Sequence, residues 1–585
     1  MASYGHVISV RGSAARIGLL AENRLAISEV RATVGRFVSI RCPSSIVVAM
    51  ITEVSSENLS NAGNYIAVAT ADLLGEIPSS SDKPAFRRGV TNYPTIGDEV
   101  DLVTSEELRT IYAPKGSERI DVGFLQQDPS VVAHIDVSEM LSKHFVVVGS
   151  TGVGKSTGVS LLLNEILKAR PNLRVFMLDV HNEYGRCFGE RAIVLNPRNL
   201  KLPFWLFNFE EIVDVLFAGR PGTPEELEIL AEVIPIAKGL YTQYQNDERV
   251  SVRHVDVRQV NHSVDTPVPY RLVDLISLVD ERMGKLENRS SRIIYQKLIS
   301  RIEAVRDNPR NAFMFDNANV GGDTMREVIS HLFRLPAHGK PMTVMQLGGF
   351  PLEVVDSVVS VVCRLAFDFG LWSDGVSPLL FVCEEAHRYA SSDRNVGFGP
   401  TRRALARIAR EGRKYGVHLG LVTQRPAELD ATLISQCSTI FAMRLANDGD
   451  QALLRAAVSD AVADMLAFVA TLGTREVLAF GEGVALPTRL RFKQVPRNQL
   501  PRGEATINSA ISVKDGHDMQ FVNAVLQRWR GATLRHDAHN DPKRGERGVV
   551  RTPLTAEPLK PQSSTNPHPD RFSFLKKQLQ EGPFH

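Results

Sequence analysis

The sequence predicts an α/β protein: a P-loop core on a mostly parallel sheet, with a small β-barrel before it and a helical insertion inside it. Three observations carry this expectation. Residues 5 to about 112 read as short half-buried strands separated by Gly, Ser, Asn and Pro; strand–helix alternation sets in from 144; and between about 205 and 335 the apolar spacing is helical. At 585 residues the chain is too long for one hydrophobic core, since cores stop growing at roughly 250–300 residues.

Taken in order, the runs "GHVISVRG", "ARIGLLA", "GRFVSIRC", "SIVVAMITEV" and "EVDLVT" are the strands of the first module, assigned to residues 1–125, with "APKGSERIDVG" as the connection onward. The core is expected over 126–204 and 336–500: "HFVVVG" is a strand, "KSTGVSLLLNEILKA" a helix stopped before Pro171, and "RVFMLD" the next strand. Strands return in "MTVMQL", "LLFVCE", "VHLGLVT" and "STIFAMR". The insertion, 205–335, includes a helix opened by Thr223, Pro224 and Glu226 in the arrangement of a capping box. The remaining 501–585 reads as one helix, "GHDMQFVNAVLQRWR", and a polar, proline-rich tail whose Phe572, Leu575 and Leu579 share a helical face.

Composition narrows the function. With 68 basic against 66 acidic residues, the net charge of +2 excludes a chain that coats nucleic acid through bulk charge, so any nucleic-acid surface must be local. The five cysteines are scattered, with no CxxC pair, which fits a reducing cytoplasm. The opening residues lack a signal-peptide layout, and the most apolar helix candidate, "PLEVVDSVVSVVCRLAF", carries Glu353, Asp356 and Arg364, so no membrane span is expected.

The stretch "GSTGVGKST" satisfies GxxxxGK[ST] between a strand and a helix, the context that gives the pattern meaning. Gly149, Ser150, Thr151, Gly152, Val153, Gly154, Lys155, Ser156 and Thr157 would then surround the phosphates of ATP, Lys155 reaching the β/γ oxygens and Ser156 ligating Mg²⁺. "PLLFVCEEAHR" delivers Glu384 and Glu385 at the C-terminal end of a buried strand, where ligands bind in open α/β sheets. Glu384 is assigned to Mg²⁺ and Glu385 to polarising the attacking water. "VHLGLVTQRP" ends in Thr423 and Gln424, placed to sense the γ-phosphate, although a strand-end amide before a proline turn has the same pattern. "LDVHNEYG" clusters Asp179, His181 and Glu183, without a fixed zinc spacing, and suits a supporting role beside the phosphates. "RIAREGRKYG" spaces Arg407, Arg410, Arg413 and Lys414 as one helix face, either a solvated basic surface or an arginine finger for a neighbouring subunit.

In these segments, over nearly all of 125–500, the chain resembles the HerA family of ATPases, relatives of FtsK within the RecA-like P-loop class, and its first strands resemble the barrel that precedes the motor there. The resemblance implies a homo-hexameric ring around double-stranded DNA, with nucleotide between subunits. It matches Lys155 and Ser156 to the Walker A pair, Glu384 and Glu385 to the Walker B pair and Gln424 to the sensor, and favours Arg410, then Arg413, as the finger. Glu384 departs from the Asp that many relatives carry. The resemblance also implies a partner: a nuclease such as NurA in end processing, or a nuclease or sirtuin-like effector in phage defence. A scaffold ring that activates such an effector is the alternative. The loop "SSDRNVGFGPTRR", with Arg394, Gly397, Gly399, Arg402 and Arg403, is the candidate channel-facing element.

Overall fold

The computed structural model describes residues 4–20, 33–55, 65–79, 84–113, 118–245, 262–285, 288–316, 322–458 and 465–502, with isolated positions besides. The tail and its apolar end, Phe572 to Leu579, lie outside the described residues; of "GHDMQFVNAVLQRWR", only scattered positions from Met519 to Arg530 are described, all helical.

Seven strands form the first module: β1 (Gly5–Arg11), β2 (Ala14–Leu20), β3 (Phe37–Arg41), β4 (Ser45–Ser55), β5 (Tyr65–Pro78), β6 (Arg87–Arg88) and β7 (Glu99–Leu102). They run in the order β2-β1-β7-β3-β4-β5, and β5 pairs back onto β2, so six strands close into a barrel with β6 attached to β5. Its interior has a separate core of Val7, Ile17, Val38, Ile40, Val47, Ile51, Ala69 and Ala71, among others. The closing strand β5 is the longest of the seven and has no counterpart among the expected strands. Its Ala67, Ala69 and Ala71 score poorly for β structure, yet small side chains are what a narrow barrel interior accepts.

The helix α1 (Ser105–Ile111), capped by the reciprocal Thr104–Glu107 box, follows the barrel. Next come β8 (Arg119–Leu125) and β9 (Val132–Asp136). These are not part of the barrel: β8 pairs with the last strand of the large sheet, so the segment expected to be a connector inside 1–125 is built into the core instead. The large sheet also contains β10 (His144–Val148), β11 (Arg174–Asp179), β12 (Ala192–Leu195), β13 (Met342–Gln346), β14 (Leu379–Glu384), β15 (Val417–Thr423), β16 (Cys437–Ala442), β17 (Glu476–Gly481) and β18 (Thr488–Phe492).

The order is β12-β13-β11-β14-β15-β10-β16-β17-β18-β8-β9. From β12 to β16 every pairing is parallel; from β16 onward every pairing is antiparallel. β10 and β14 are buried along their whole length, as strands covered on both faces must be. The remaining helices are α2 (Val137–Met140), α3 (Lys155–Ala169), α4 (Phe209–Phe217), α5 (Pro224–Gln245), α6 (Leu272–Gly284), α7 (Arg289–Arg306), α8 (Ala312–Phe315), α9 (Met325–Phe333), α10 (Val355–Trp372), α11 (Gly399–Glu411), α12 (Ala431–Ser435) and α13 (Asp448–Ala456).

Helices α4 to α9 fill the chain between β12 and β13. The Thr223–Glu226 box forms at the start of α5 (3.0 and 3.3 Å). A partly buried ion pair fastens the insertion to the core: Arg364 of α10 holds Glu211 of α4 (2.8 Å), and the Ser360 hydroxyl donates to the same carboxylate (2.8 Å). This accounts for an arginine within so apolar a helix, and no described helix is long and apolar enough to cross a membrane. Of the proposed channel loop, Arg402 and Arg403 are not in a loop but in the first turns of α11, where Arg403 pairs with Glu210; Arg394 and Gly397 do lie in the exposed loop before it.

Candidate functional site

The loop after β10 is suspended between its neighbouring strands. Gly149 donates its N–H to the Thr423 carbonyl of β15 (3.3 Å), and Ser150 donates to the Arg444 carbonyl beyond β16 (2.9 Å). Gly152 and Gly154 take left-handed backbone (φ 79° and 96°), which glycine adopts without steric cost. Gly154 is the N-cap of α3 and supplies no side-chain cap, in contrast to the boxed starts of α1 and α4. The first N–H groups of a 15-residue helix are thereby left for an anion. Val153 is buried, so it can serve a ligand only through its backbone.

Two strands over, β14 ends in the carboxylate pair. Lys155 Nζ lies 3.0 Å from Glu385 Oε1, with both side chains less than a tenth exposed. Glu385 has left-handed backbone (φ 47°), uncommon for a non-glycine residue and a mark of strain kept at a site. Its second oxygen, Oε2, is buried without a hydrogen bond, and His387 Nδ1 stands 3.4 Å from it. Glu384 accepts from the Val180 N–H (3.0 Å). Burial, then the nearby Asp179 and Glu385 carboxylates, push Glu384 up to about 8. Burial likewise raises Asp179 to about 6, against two backbone N–H bonds that favour its ionised form.

The strand between them, β15, brings Gln424 to the phosphate loop: the Thr151 hydroxyl donates to Gln424 Oε1 (2.7 Å). Thr423 is buried, and its hydroxyl is 3.0 Å from His387 Nδ1. The two Asp179 oxygens accept from the N–H groups of Glu183 and Tyr184 (3.0 Å each), so this carboxylate shapes the loop that carries His181 and Glu183. His181 is half exposed and 3.8 Å from Glu385 Oε1. Ser156 lies beside the Tyr184 hydroxyl.

Arg410 and Arg413 are elsewhere. α11 ends at the opposite, N-terminal end of the parallel strands, where His144 at the base of β10 bonds the Ala409 carbonyl through Nε2 (2.9 Å) and accepts from the Leu419 N–H at Nδ1 (2.9 Å). Strand rise is ~3.3 Å per residue, so β10 alone puts about 13 Å between that end and the phosphate loop. Arg410, Arg413 and Lys414 are exposed, while Arg407 lies over the Phe367 ring (4.1 Å) and near Asp368 (3.6 Å).

Two site residues, His387 and Arg475, went unassigned in the sequence. His387 stands in "CEEAHR", two positions after Glu385, where its contact could be suspected. Arg475 reaches the phosphate loop from the β16–β17 connection, a neighbourhood no local pattern discloses.

A glycine-bent loop opening onto an uncapped helix, with a lysine facing a buried carboxylate pair and a polar strand end alongside, defines a P-loop ATPase. The sequence model described as "Helicase HerA, central domain" matches residues 120–366. The DNA double-strand break repair helicase HerA of Pyrococcus furiosus is 26% identical over 502 residues, covering 80% of this chain and 82% of the relative; that of Sulfurisphaera tokodaii is 24% identical over 449 residues, covering 74% and 80%. The chain is thus similar to HerA helicases over most of its length. Among solved structures it is similar to the bacterial conjugative coupling protein TrwB (TM-score 0.42, 15% identity, 68% of this chain and 94% of that one). It is also similar to VirB4 of Thermoanaerobacter pseudethanolicus (TM-score 0.43, 15% identity, 66% and 98%).

Proposed function

We propose that this ATPase is a ring-forming motor, six copies around double-stranded DNA, in which each nucleotide is bound by one subunit and completed by the next. The observation that carries it is the split of the candidate machinery between the two ends of one sheet. The lysine, carboxylates and glutamine gather at the C-terminal end; the exposed arginines stand at the other, too far to reach their own subunit's phosphates. In this reading Arg410 or Arg413 stabilises the transferring phosphoryl group of a neighbour. The named relatives are DNA double-strand break repair helicases, which motivates duplex DNA here.

In this reading Lys155 and the free N–H groups of the loop hold the β/γ-phosphates, Glu385 orients the attacking water and takes its proton, and Gln424 reports the γ-phosphate to β15. ATP displaces Lys155 from Glu385, freeing that carboxylate to act as base. The residues present fit Mg²⁺: the Ser156 hydroxyl and the Glu384 carboxylate are hard oxygen donors, and Glu384 and Glu385 set two buried carboxyls beside a single ammonium. Ser156 and Glu384 would hold the ion, which neutralises charge on the phosphates when bound. The five cysteines are unpaired, which supports a reducing cytoplasm. A nuclease or sirtuin-like effector, in repair or phage defence, is the proposed partner.

The test is ATP hydrolysis by the purified chain with and without linear duplex DNA, after its assembly size is determined. Stimulation by DNA in a ring-sized particle is expected. Turnover that ignores DNA and answers only to a co-encoded protein would replace the motor with a scaffold that activates its effector.

A further inference from the structure

The connection from β16 to β17 lies against the phosphate loop. Arg475, just before β17, donates its N–H to the Val153 carbonyl (3.0 Å), and its own carbonyl accepts from the Phe492 N–H (2.9 Å). Its backbone is left-handed (φ 65°), a conformation glycine enters freely and arginine does not. The side chain passes the N-cap of α3: a methyl group built on Gly154 would stand 3.4 Å from Arg475 Cγ. The adjacent carboxylate is already engaged, Glu476 accepting from Arg489 (2.6 Å) and from the Gly473 N–H (2.9 Å). Among the described residues no carboxylate forms an ion pair with the half-buried Arg475.

We propose that Arg475 binds the polyphosphate of the nucleoside triphosphate held by its own subunit, adding a second fixed positive charge to that of Lys155. The inference rests on the phosphate-loop reading above. If the position served only the turn, glycine or asparagine would adopt its backbone at lower cost. A long cation kept there, unpaired and beside an uncapped helix start, is explained by an anion that both would share.

Calorimetric titration of the full chain with Mg·ATP and with AMP, on wild type, Arg475→Gly, Arg475→Lys and Lys155→Ala, tests this, with thermal unfolding of each variant alongside. Arg475→Gly is expected to melt no lower than wild type, because the left-handed backbone is relieved. It should nonetheless bind ATP about tenfold more weakly, as loss of a charged hydrogen bond predicts, and AMP less affected, with Arg475→Lys recovering part of the difference. ATP binding by Arg475→Gly at wild-type strength, with Lys155→Ala defective, overturns the proposal and leaves the phosphate loop standing. Equal losses for ATP and AMP overturn it too, by placing Arg475 on the base or in a structural role. If wild type binds no ATP, the phosphate-loop reading fails and this inference falls with it.

Discussion

The two ends of the parallel sheet differ in charge and in how that charge is held. At the C-terminal end the acids are buried: Asp179, Glu384 and Glu385 are each less than a twentieth exposed, with Lys155 paired to Glu385. At the N-terminal end the cations are in solvent: Arg410, Arg413 and Lys414 ride the end of α11 above the buried His144 and the half-buried His418. A buried carboxylate cluster is costly until cations enter it, and an exposed arginine contributes little until a partner covers it. Each end lacks what the other displays, as the proposed head-to-tail ring requires.

The most severe way to break this comparison is at the solvent-exposed end. Arg410→Ala should lower kcat by about 10³-fold, the usual contribution of a trans-acting arginine, with ATP affinity nearly unchanged. Mixing Arg410→Ala with Lys155→Ala subunits should restore some turnover, because a mixed ring contains intact junctions. If mixing restores nothing while rings still form, the two ends do not meet. Glu385→Gln should cost about 10²- to 10³-fold in kcat with nucleotide retained, measurable as ATP bound but not hydrolysed in a single-turnover experiment. Gln424→Ala removes the contact with Thr151 and should cost roughly 10-fold in rate, with KM for ATP changing less than kcat.

The smallest effect sharpens the contrast through pH. Burial, then nearby charge, lowers His144 and His418 to about 4; Arg413 faces the first, while His144 and Arg170 face the second. A histidine whose folded pKa lies below its unfolded value near 6.5 adds stability above that value and loses it as pH falls toward 4. The melting temperature should therefore drop as pH falls from 6.5 to 4, with a shallower drop in His144→Gln and His418→Gln. An unchanged slope in the double variant would place the acid sensitivity elsewhere.

Much of the acidic end was legible from the sequence because its chemistry is local: "GSTGVGKST" and "CEEAHR" each put their reactive groups within a few residues, and burial of the preceding strand aims them. What escaped was set by pairing across long chain separations. β5 was hidden by alanines that suit a barrel interior but score poorly as strand, β8 by a partner, β18, more than 350 residues away, and Arg475 by a contact that exists only once β17 lies in place. Arg402 and Arg403 were misplaced for a local reason: Gly397 and Gly399 suit a loop, yet Pro400 after them suits the first turn of a helix.

Closure of the barrel by β5 on β2 has a consequence for how other molecules attach to it. The six strands rolled onto one another give their main-chain donors and acceptors largely to their own neighbours, so among the described residues the edge left for an incoming peptide is the two-residue β6. With so short an edge, association with this module falls chiefly to side chains and loop tips, a mode in which a few substitutions are enough to exchange one companion for another.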